Sequence, residues 1–452
     1  MNTKRFFSAF LCLLLSFGLF LTPRAAALED PDILAKAALL VDVETDAIAY
    51  GKNEHQELYP ASLTKIMTAL LVLEAVEEGN LSMDQEVTAA ASAFVGLSAD
   101  GSTANIKVGE TMSVRNLMYC MLVVSANEAC NILAEAVSGS VEAFVDDMNE
   151  KAEELGCENT HFMNPNGLHD PQHYTSAWDM YLMTKAAMAY PDFMEICDTA
   201  NVIIPATNMS GERSLWTTNH LLSNWRVIGY RNSEAHGIKT GSTDAAGHCL
   251  VSSSTRGSLH FVSVILGAER VEENGVGNLR SFSETTRMFH HGFDNFGYRT
   301  ILEAKDPVAE VAVTLSKTDH VTVQPSENVE VLFPNDLTAE DLERVIVLQE
   351  PVEAPISKGQ KLGTIELRHG NTSYATVDLL AMTDVEADRM MVFWRDFQLF
   401  LAKPALKIAL AVVAVLLVLF LLWKLLFSRR RYRYGRSVSS RSTRNYRGRK
   451  RR

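Results

Sequence analysis

The chain has 452 residues, too many for one ordinary domain. Its formal net charge is −13. The two ends and the C-terminal apolar segment contain eighteen Lys and Arg residues, and without them the charge of the rest of the chain is −31. A protein this acidic disfavours nucleic acid as a partner. Its six cysteines show no Cys-x-x-Cys or Cys/His cluster, so the sequence predicts no disulfide scaffold, metal or cofactor. A Cys157–Cys197 disulfide is conceivable but is not predicted.

The two ends of the chain carry targeting signals. A basic start, a short apolar run and an Ala-x-Ala sequence predict that residues 1–27 are a secretory signal peptide. Residues 404–427 form an apolar stretch long enough to cross a bilayer core of about 30 Å, and residues 387–403 form a juxtamembrane linker. Residues 428–452 carry twelve Arg or Lys and no acidic residue, which predicts a cytoplasmic tail. We expect a single-pass cell-membrane protein with its folded domains outside the cytoplasm.

The first predicted domain, residues 28–300, begins with strands. Residues 36–44 and 47–50 have the composition and the turn of a β-hairpin. A helix then begins at Ser62, where apolar residues recur at helical spacing, and it ends before Gly79.

Helices fill the middle of this domain, and strands return towards its end. The helical segments are 113–124, 127–136, 141–155 and 177–189. The later strands are 238–243, 248–254 and 259–266, followed by a closing helix at 280–293. This order predicts an α/β arrangement in which helices cover an antiparallel sheet.

Residues 301–386 form a second predicted domain. Short strands alternate with turns at nearly regular spacing, and no cluster of reactive side chains stands out. The sequence therefore predicts a small all-β domain between the first domain and the membrane segment.

A serine and a lysine lie one helical turn apart at the start of the Ser62 helix. Residues three apart share a helix face, so the Ser62 hydroxyl and the Lys65 amine can come within hydrogen-bond distance. Burial would remove the amine's proton and make it a base for the hydroxyl. Alone, this spacing is more often a helix cap followed by a surface lysine.

Two more short motifs follow in chain order. Ser125-Ala126-Asn127 lies in a break between two predicted helices, and Lys239-Thr240-Gly241 lies on a predicted strand. Each is common by itself, but the three together, in this order and on these elements, are hard to reach by chance.

The three motifs resemble those of the low-molecular-mass penicillin-binding proteins, the D-alanyl-D-alanine carboxypeptidases. The stretches 164–168, 173–177 and 246–250 also resemble the family. The resemblance implies a β-lactamase/transpeptidase-like peptidase domain with an all-helical subdomain, followed by the all-β domain. It also implies a peptidoglycan stem peptide ending in D-Ala-D-Ala as substrate and β-lactams as inhibitors. Many members end in an amphipathic helix, whereas this chain continues into a full membrane span.

The resemblance also implies residue roles. Ser62 would be the nucleophile, Lys65 its base and Ser125 the proton relay, so these three are the expected catalytic residues. The substrate would be bound by the side chains or backbone of Asn127, Lys239, Thr240, Gly241 and Ser242. The backbone N–H groups of Ser62 and Ser242 would form the oxyanion hole. Arg280 is a weaker candidate at the substrate carboxylate, and His173 and His248 are interpreted as structural.

Three other functions remain open on the sequence. A class A β-lactamase would need a glutamate on a loop between the second and third motifs, and residues 164–170 contain none. An inactive wall-associated binding or sensor protein would be expected to have lost Ser62 or Lys65. A transpeptidase differs only in the acceptor of the acyl group, which the sequence does not specify.

Overall fold

The structure is a computed structural model that describes residues 30–273 and 276–428. The predicted signal peptide and, apart from Ser428, the predicted basic tail lie outside the described residues. The chain divides into two compact units. The first runs to Glu303 and adds Asn328–Arg344 and Leu367–Ala375, and the remaining residues form the second.

The first unit is built on a five-stranded antiparallel sheet. Its strands are β1 (Ala37–Asp42), β2 (Ile48–Lys52), β3 (Ala235–Thr243), β4 (Gly247–Arg256) and β5 (Leu259–Ala268). They lie in the order β2-β1-β5-β4-β3, so the early hairpin joins the late meander through the β1–β5 pair. The sequence predicted each of these strands but not the pairing between the two distant groups.

Helices cover both faces of this sheet. In the first unit they are α1 (Lys65–Glu77), α2 (Val114–Val123), α3 (Asn127–Ser138), α4 (Val141–Glu154), α5 (Ala177–Met188), α6 (Pro191–Cys197) and α7 (Arg280–Asn295). Successive residues of a strand face opposite sides of its sheet. Accordingly, Leu39 belongs to the large apolar cluster around α1–α6, whereas Leu40 belongs to the smaller cluster beneath α7. The predicted α/β architecture is confirmed.

Four short antiparallel pairs complete the first unit, and the sequence predicted none of these pairings. They are Glu86–Thr88 with Thr111–Ser113, Asn201–Ile204 with Arg213–Trp216, Arg270–Glu273 with Val276–Leu279, and Phe296–Leu302 with Val329–Pro334. The strand that contains Trp216 ends two residues before Thr218, which lines the candidate site described below.

The second unit contains the predicted all-β module. Its strands are β6 (Ala309–Thr314), β7 (His320–Pro325), β8 (Glu343–Leu348), β9 (Val352–Glu353), β10 (Lys361–His369) and β11 (Thr372–Ala381), each with most of its residues in this unit. They form one sheet in the order β8-β10-β11-β7-β6-β9.

Two helices follow the all-β module. They are α8 (Arg389–Ala402) and α9 (Pro404–Ser428). By length and composition α9 is the one helix among the described residues that is able to cross a membrane. The side chains of Phe393, Trp394 and Phe397 on α8 are exposed.

Candidate active site

Ser62 lies just before α1 rather than inside it. A 3₁₀ turn spans Ala61–Thr64, and the α-helix begins only at Lys65, so the predicted helix start at Ser62 is wrong. Ala61 has a φ of 48°, and the Leu63 N–H donates to the Pro60 carbonyl at 3.2 Å. Apolar spacing could not distinguish this turn from a first α-helical turn, because both place residues three apart on nearly the same face.

The amine of Lys65 is fully buried and surrounded by oxygen atoms. Its Nζ lies 3.0 Å from Ser62 Oγ, 2.8 Å from Asn127 Oδ1 and 2.5 Å from the carbonyl oxygen of Asn166. Burial lowers the pKa of Lys65. The charges of Cys130 and Glu128 act to raise it, but their effect is smaller than that of burial. The structure therefore brings the serine into contact with an amine whose pKa is lowered by burial.

The second motif occupies the break between α2 and α3. Ser125 is 4% exposed and takes the left-handed conformation, with a φ of 64°. The Ala126 N–H donates to the carbonyl of Cys120, and the Asn127 N–H donates to that of Ser102. These bonds fix the break, so that Ser125 and Asn127 approach the two lysines of the site from one side.

Lys239 reaches the site from β3. It is 1% exposed, and its Nζ donates to Ser125 Oγ at 3.1 Å and to the carbonyl of Thr240 at 2.9 Å. Burial, followed by the positive charge of Lys65, lowers the pKa of Lys239 to about 7. The site thus contains two hydrogen-bonded groups, Ser62–Lys65–Asn127 and Ser125–Lys239, which the short segment from Ser125 to Asn127 brings together.

The rest of the third motif lies along the same strand. Thr240 Oγ1 is 2.6 Å from Thr218 Oγ1. A Cβ on Gly241 would lie 2.8 Å from the Pro60 carbonyl oxygen and 3.1 Å from the Ser62 nitrogen, so only glycine lets β3 run this close to the serine turn. One cleft is lined by Ser62, Ser102, Ser125, Thr218, His220, Thr240, Gly241, Ser242 and His248, among others. The structure therefore brings all eight predicted site residues into or directly beside this cleft.

The sequence did not indicate that the loop at residues 164–168 contacts Lys65. Asn164 Oδ1 accepts hydrogen bonds from the backbone N–H groups of Asn166, Gly167 and Leu168, which forms a tight turn. This turn presents the Asn166 carbonyl to Lys65. The dense run of Asn, Pro and Gly at 164–167 predicted a turn, but nothing in it indicated a lysine partner. Thr218, the partner of Thr240, has no sequence signal at all.

His173 is held in a structural hydrogen-bond network. Its Nδ1 accepts from the Met163 N–H at 3.1 Å, so its Nε2–H donates to Thr64 Oγ1 at 2.8 Å. Burial lowers the pKa of His173 to about 4, and it is therefore neutral near pH 7. His248 lines the cleft, whereas Arg280 does not.

The described cysteines are buried free thiols, including Cys157 and Cys197. Within the described residues no group of acidic, Cys and His side chains could hold a metal ion.

The chain matches two family models. Residues 24–270, more than half of the chain, match the model described as D-alanyl-D-alanine carboxypeptidase. The chain belongs to this family. Residues 296–387 match the C-terminal domain of penicillin-binding protein 5. The family resemblance and the prediction of a serine-type carboxypeptidase are confirmed.

Individual carboxypeptidases agree with the family models. The D-alanyl-D-alanine carboxypeptidase DacF of Bacillus subtilis (strain 168) is 31% identical over 361 residues, which are 79% of this chain and 88% of that protein. The crystal structure of the D-alanyl-D-alanine carboxypeptidase DacD from Francisella tularensis has a TM-score of 0.65 and 28% identity, covering 82% of this chain and 98% of its own. Penicillin binding protein 5 from Haemophilus influenzae has a TM-score of 0.60 and 29% identity, covering 79% and 99%. Nothing in these comparisons favours a β-lactamase or an inactive binding protein.

Proposed function

We propose that this carboxypeptidase removes the terminal D-alanine from peptidoglycan pentapeptides through an acyl-enzyme on Ser62. One observation carries the assignment of roles. Of the three oxygens around the buried Lys65 amine, those of Asn127 and Asn166 can only accept hydrogen bonds. A neutral amine donates one proton to each, and its lone pair then faces the Ser62 hydroxyl.

Acylation follows from this orientation. Ser62 Oγ attacks the carbonyl carbon of the penultimate D-alanine while Lys65 accepts the hydroxyl proton. Ser125 passes a proton on to the departing amine, since Lys239 donates to its Oγ and leaves its own O–H free to point into the cleft. Asn127 orients Lys65 and the substrate amide. The C–N bond breaks, and free D-alanine leaves.

Charge stabilisation comes from the strand. Lys239 in its cationic form attracts the terminal carboxylate, and Thr240 donates a hydrogen bond to it. The backbone N–H groups of Ser62 and Ser242 donate hydrogen bonds to the developing oxyanion. Each such donor typically stabilises the transition state by about 3 kcal/mol. Gly241 lets these two groups come together because a side chain there would collide with the serine turn.

Water then releases the tetrapeptide from Ser62. A β-lactam presents a strained amide and a carboxylate in place of the D-Ala-D-Ala end, so it acylates the same serine. Its leaving group stays attached to the acyl part and blocks the path of water, so we expect release to be slow.

We also propose that the C-terminal helices anchor the enzyme to a membrane, because α9 is long and apolar enough to cross one. α9 spans the bilayer, and the tail that follows it lies in the cytoplasm, which leaves both folded units on the outer side. The exposed aromatic residues of α8 lie against the lipid head groups of the outer surface.

Ser62→Ala in the full-length protein tests the assignment, with Ser98→Ala as the matched control. Wild type and control should release D-alanine from a pentapeptide and become labelled by a fluorescent penicillin, whereas Ser62→Ala should do neither. A rapid turnover of nitrocefin would instead indicate a β-lactamase, and a cross-linked product seen by mass spectrometry would indicate a transpeptidase.

A further inference from the structure

A buried asparagine outside the three motifs contacts the surroundings of the Lys65 amine. Asn131 lies on α3, one helical turn after Asn127, and its side chain is 3% exposed. Residues four apart share a helix face, so the two asparagines lie on the same side of α3. Asn127 accepts a hydrogen bond from the Lys65 amine itself, and Asn131 contacts a neighbour of that amine, Asn166.

The carboxamide of Asn131 is held at both ends. Its Nδ2 donates to the carbonyl of Ala93 at 2.9 Å, and its Oδ1 accepts from Asn166 Nδ2 at 3.1 Å. Ala93 is fully buried and belongs to a 3₁₀ turn over Ala91–Phe94. Turning the carboxamide over would place two N–H donors against each other at Asn166 and two oxygens against each other at Ala93. The two hydrogen bonds therefore permit only one orientation of Asn131.

Asn166 connects this asparagine to the amine. Its side chain is 3% exposed and is itself held at both ends, because its Oδ1 accepts from the Leu168 N–H at 3.0 Å. Its main-chain carbonyl accepts from Lys65 Nζ at 2.5 Å. A residue whose side chain is bound at both ends has little freedom to rotate its own carbonyl. Asn131 thereby restricts the direction of the oxygen that contacts Lys65.

The other hydrogen bonds of the turn at residues 164–168 do not replace this contact. Asn164 accepts only from N–H groups of the turn itself, so it shapes the turn without attaching it to a helix. Thr68 of α1 donates to the carbonyl of Pro165 at 2.6 Å. Asn131 attaches the turn to α3, the helix that also carries Asn127. One helix thus controls both oxygens that can only accept from the Lys65 amine.

We propose that Asn131 is a positioning residue for the Lys65 base, acting through Asn166. It holds the Asn166 carbonyl where it accepts one proton of the amine, so that the lone pair of the amine stays directed at the Ser62 hydroxyl. This inference rests on the proposed function, in which Lys65 accepts the Ser62 proton. Without Asn131, Asn166 Nδ2 loses its acceptor, its carbonyl turns away, and the amine is free to rotate. Binding of the substrate carboxylate at Thr240 is not affected.

The test measures acylation of the full-length protein by a fluorescent penicillin over a range of concentrations. This separates the dissociation constant of the first complex from the rate constant of acylation. The variants are Asn131→Ala, Asn166→Ala and the double variant, and thermal unfolding shows that each is folded. Asn131→Ala should lower the acylation rate constant about thirtyfold and leave the dissociation constant within about twofold, because only the direction of the base changes.

Asn149→Ala is the matched control. Asn149 lies on the next helix, α4, and its carboxamide is bonded to both the N–H and the carbonyl of Phe162, just before the turn. This variant loses comparable hydrogen bonds to the same loop without touching Asn166, so its acylation rate constant should stay within about twofold of wild type. The double variant should be no slower than the slower single variant, because both single changes remove the same Asn131–Asn166 hydrogen bond.

Several results would overturn the inference. A normal acylation rate constant in folded Asn131→Ala would do so, and so would a weaker first complex with an unchanged rate constant. Equal losses in Asn149→Ala would show that any loosening of the loop suffices, and multiplied losses in the double variant would show that the two asparagines act separately. If Asn131→Ala does not fold, a normal rate constant in Asn166→Ala overturns the inference and a lowered one supports it. A wild type that neither releases D-alanine nor becomes labelled would overturn the proposed function itself.

Discussion

Two pairs of cations in this protein lie in opposite environments. Lys65 and Lys239 in the cleft are 0% and 1% exposed, and burial lowers the pKa of both amines. Lys107 and Arg226 line a wider groove that shares Ser102 and Thr218 with the cleft, and both are exposed to solvent. Burial thus lowers the pKa of the two cleft lysines, as the proposed role of Lys65 as a base requires, while the other two cations remain in contact with water.

The comparison also explains why the buried pair is so closely surrounded. A buried amine without a carboxylate partner costs stability unless its protons find acceptors. Asn127, Asn166 and the hydroxyls supply these acceptors, and none of them carries a negative charge that would raise the pKa of Lys65 again. Neutral partners thus satisfy the amine without cancelling the effect of burial on its pKa.

The largest expected effect comes from replacing Lys65, the proposed base. Lys65→Met should lower kcat for the pentapeptide about 10⁴-fold, because no other group can accept the Ser62 proton. Lys65→Arg should be equally inactive, since a guanidinium stays protonated. Free D-alanine is the measurement for both. Lys107→Met, an equivalent change in the groove, should keep the pentapeptide activity of the wild type.

In this experiment a thermal unfolding curve distinguishes a loss of catalytic activity from a loss of folded structure. The Tm of Lys65→Met should stay within about 5 °C of wild type, because the loss of three hydrogen bonds is offset by removing a buried amine. Substantial activity in Lys65→Met would contradict the assigned base and the contrast between the two cation pairs.

An intermediate effect is expected from changing the loop at residues 164–168, whose Asn166 carbonyl contacts Lys65. A Cβ on Gly167, whose φ is +82°, would lie 1.9 Å from the Ala61 carbonyl oxygen and push the serine turn away. Gly167→Ala should lower kcat about a hundredfold, since small displacements of reacting groups are that costly. D-alanine release is again the assay.

Gly156→Ala is the matched control for this variant. Gly156 has a similar φ of +78° but no atom within 4 Å of a Cβ, so it reports backbone strain alone. It should lower stability by about 1 kcal/mol and leave kcat unchanged. Equal activity losses in the two variants would show that close packing at Gly167 does not position the site.

The smallest expected effect is a pH dependence of kcat/KM that arises from the buried Lys239. Lys239 has a pKa lowered to about 7, so it is cationic below that pH and neutral above it. Because the cation attracts the substrate carboxylate, kcat/KM at pH 8 should be about tenfold below its value at low pH, where Lys239 is fully cationic. Lys239→Arg should remove this fall. A wild-type profile that stays flat from pH 7 to 9 would contradict the role given to Lys239.

The sequence indicated the chemistry through local patterns. Ser62 and Lys65 are three residues apart, so one helical or 3₁₀ turn brings them together wherever the segment is placed. Turn residues around Asn127 and the strand period around Lys239 predicted the elements that carry the other two motifs. The apolar segment at 404–427 similarly predicted a membrane-spanning helix from length and composition alone.

The same local patterns misplaced or missed other features. The helix start at Ser62 was wrong because a 3₁₀ turn and an α-helical turn share their apolar spacing. Asn166 was missed as a site residue because it acts through its backbone carbonyl, which every residue possesses. The cationic groove was missed since Lys107, Trp216 and Arg226 lie far apart in sequence and share no periodicity.

The amino-acid sequence by itself determined which reactive groups this protein has and which local element carries each, because turns, helices and strands depend on neighbouring residues. Only the tertiary structure decided that the three motifs meet, since the β1–β5 pairing and the approach of Gly241 to the serine turn join segments about 180 residues apart or more. It alone decided that Lys65 is buried among neutral acceptors, because burial is a property of the packed chain and not of the lysine.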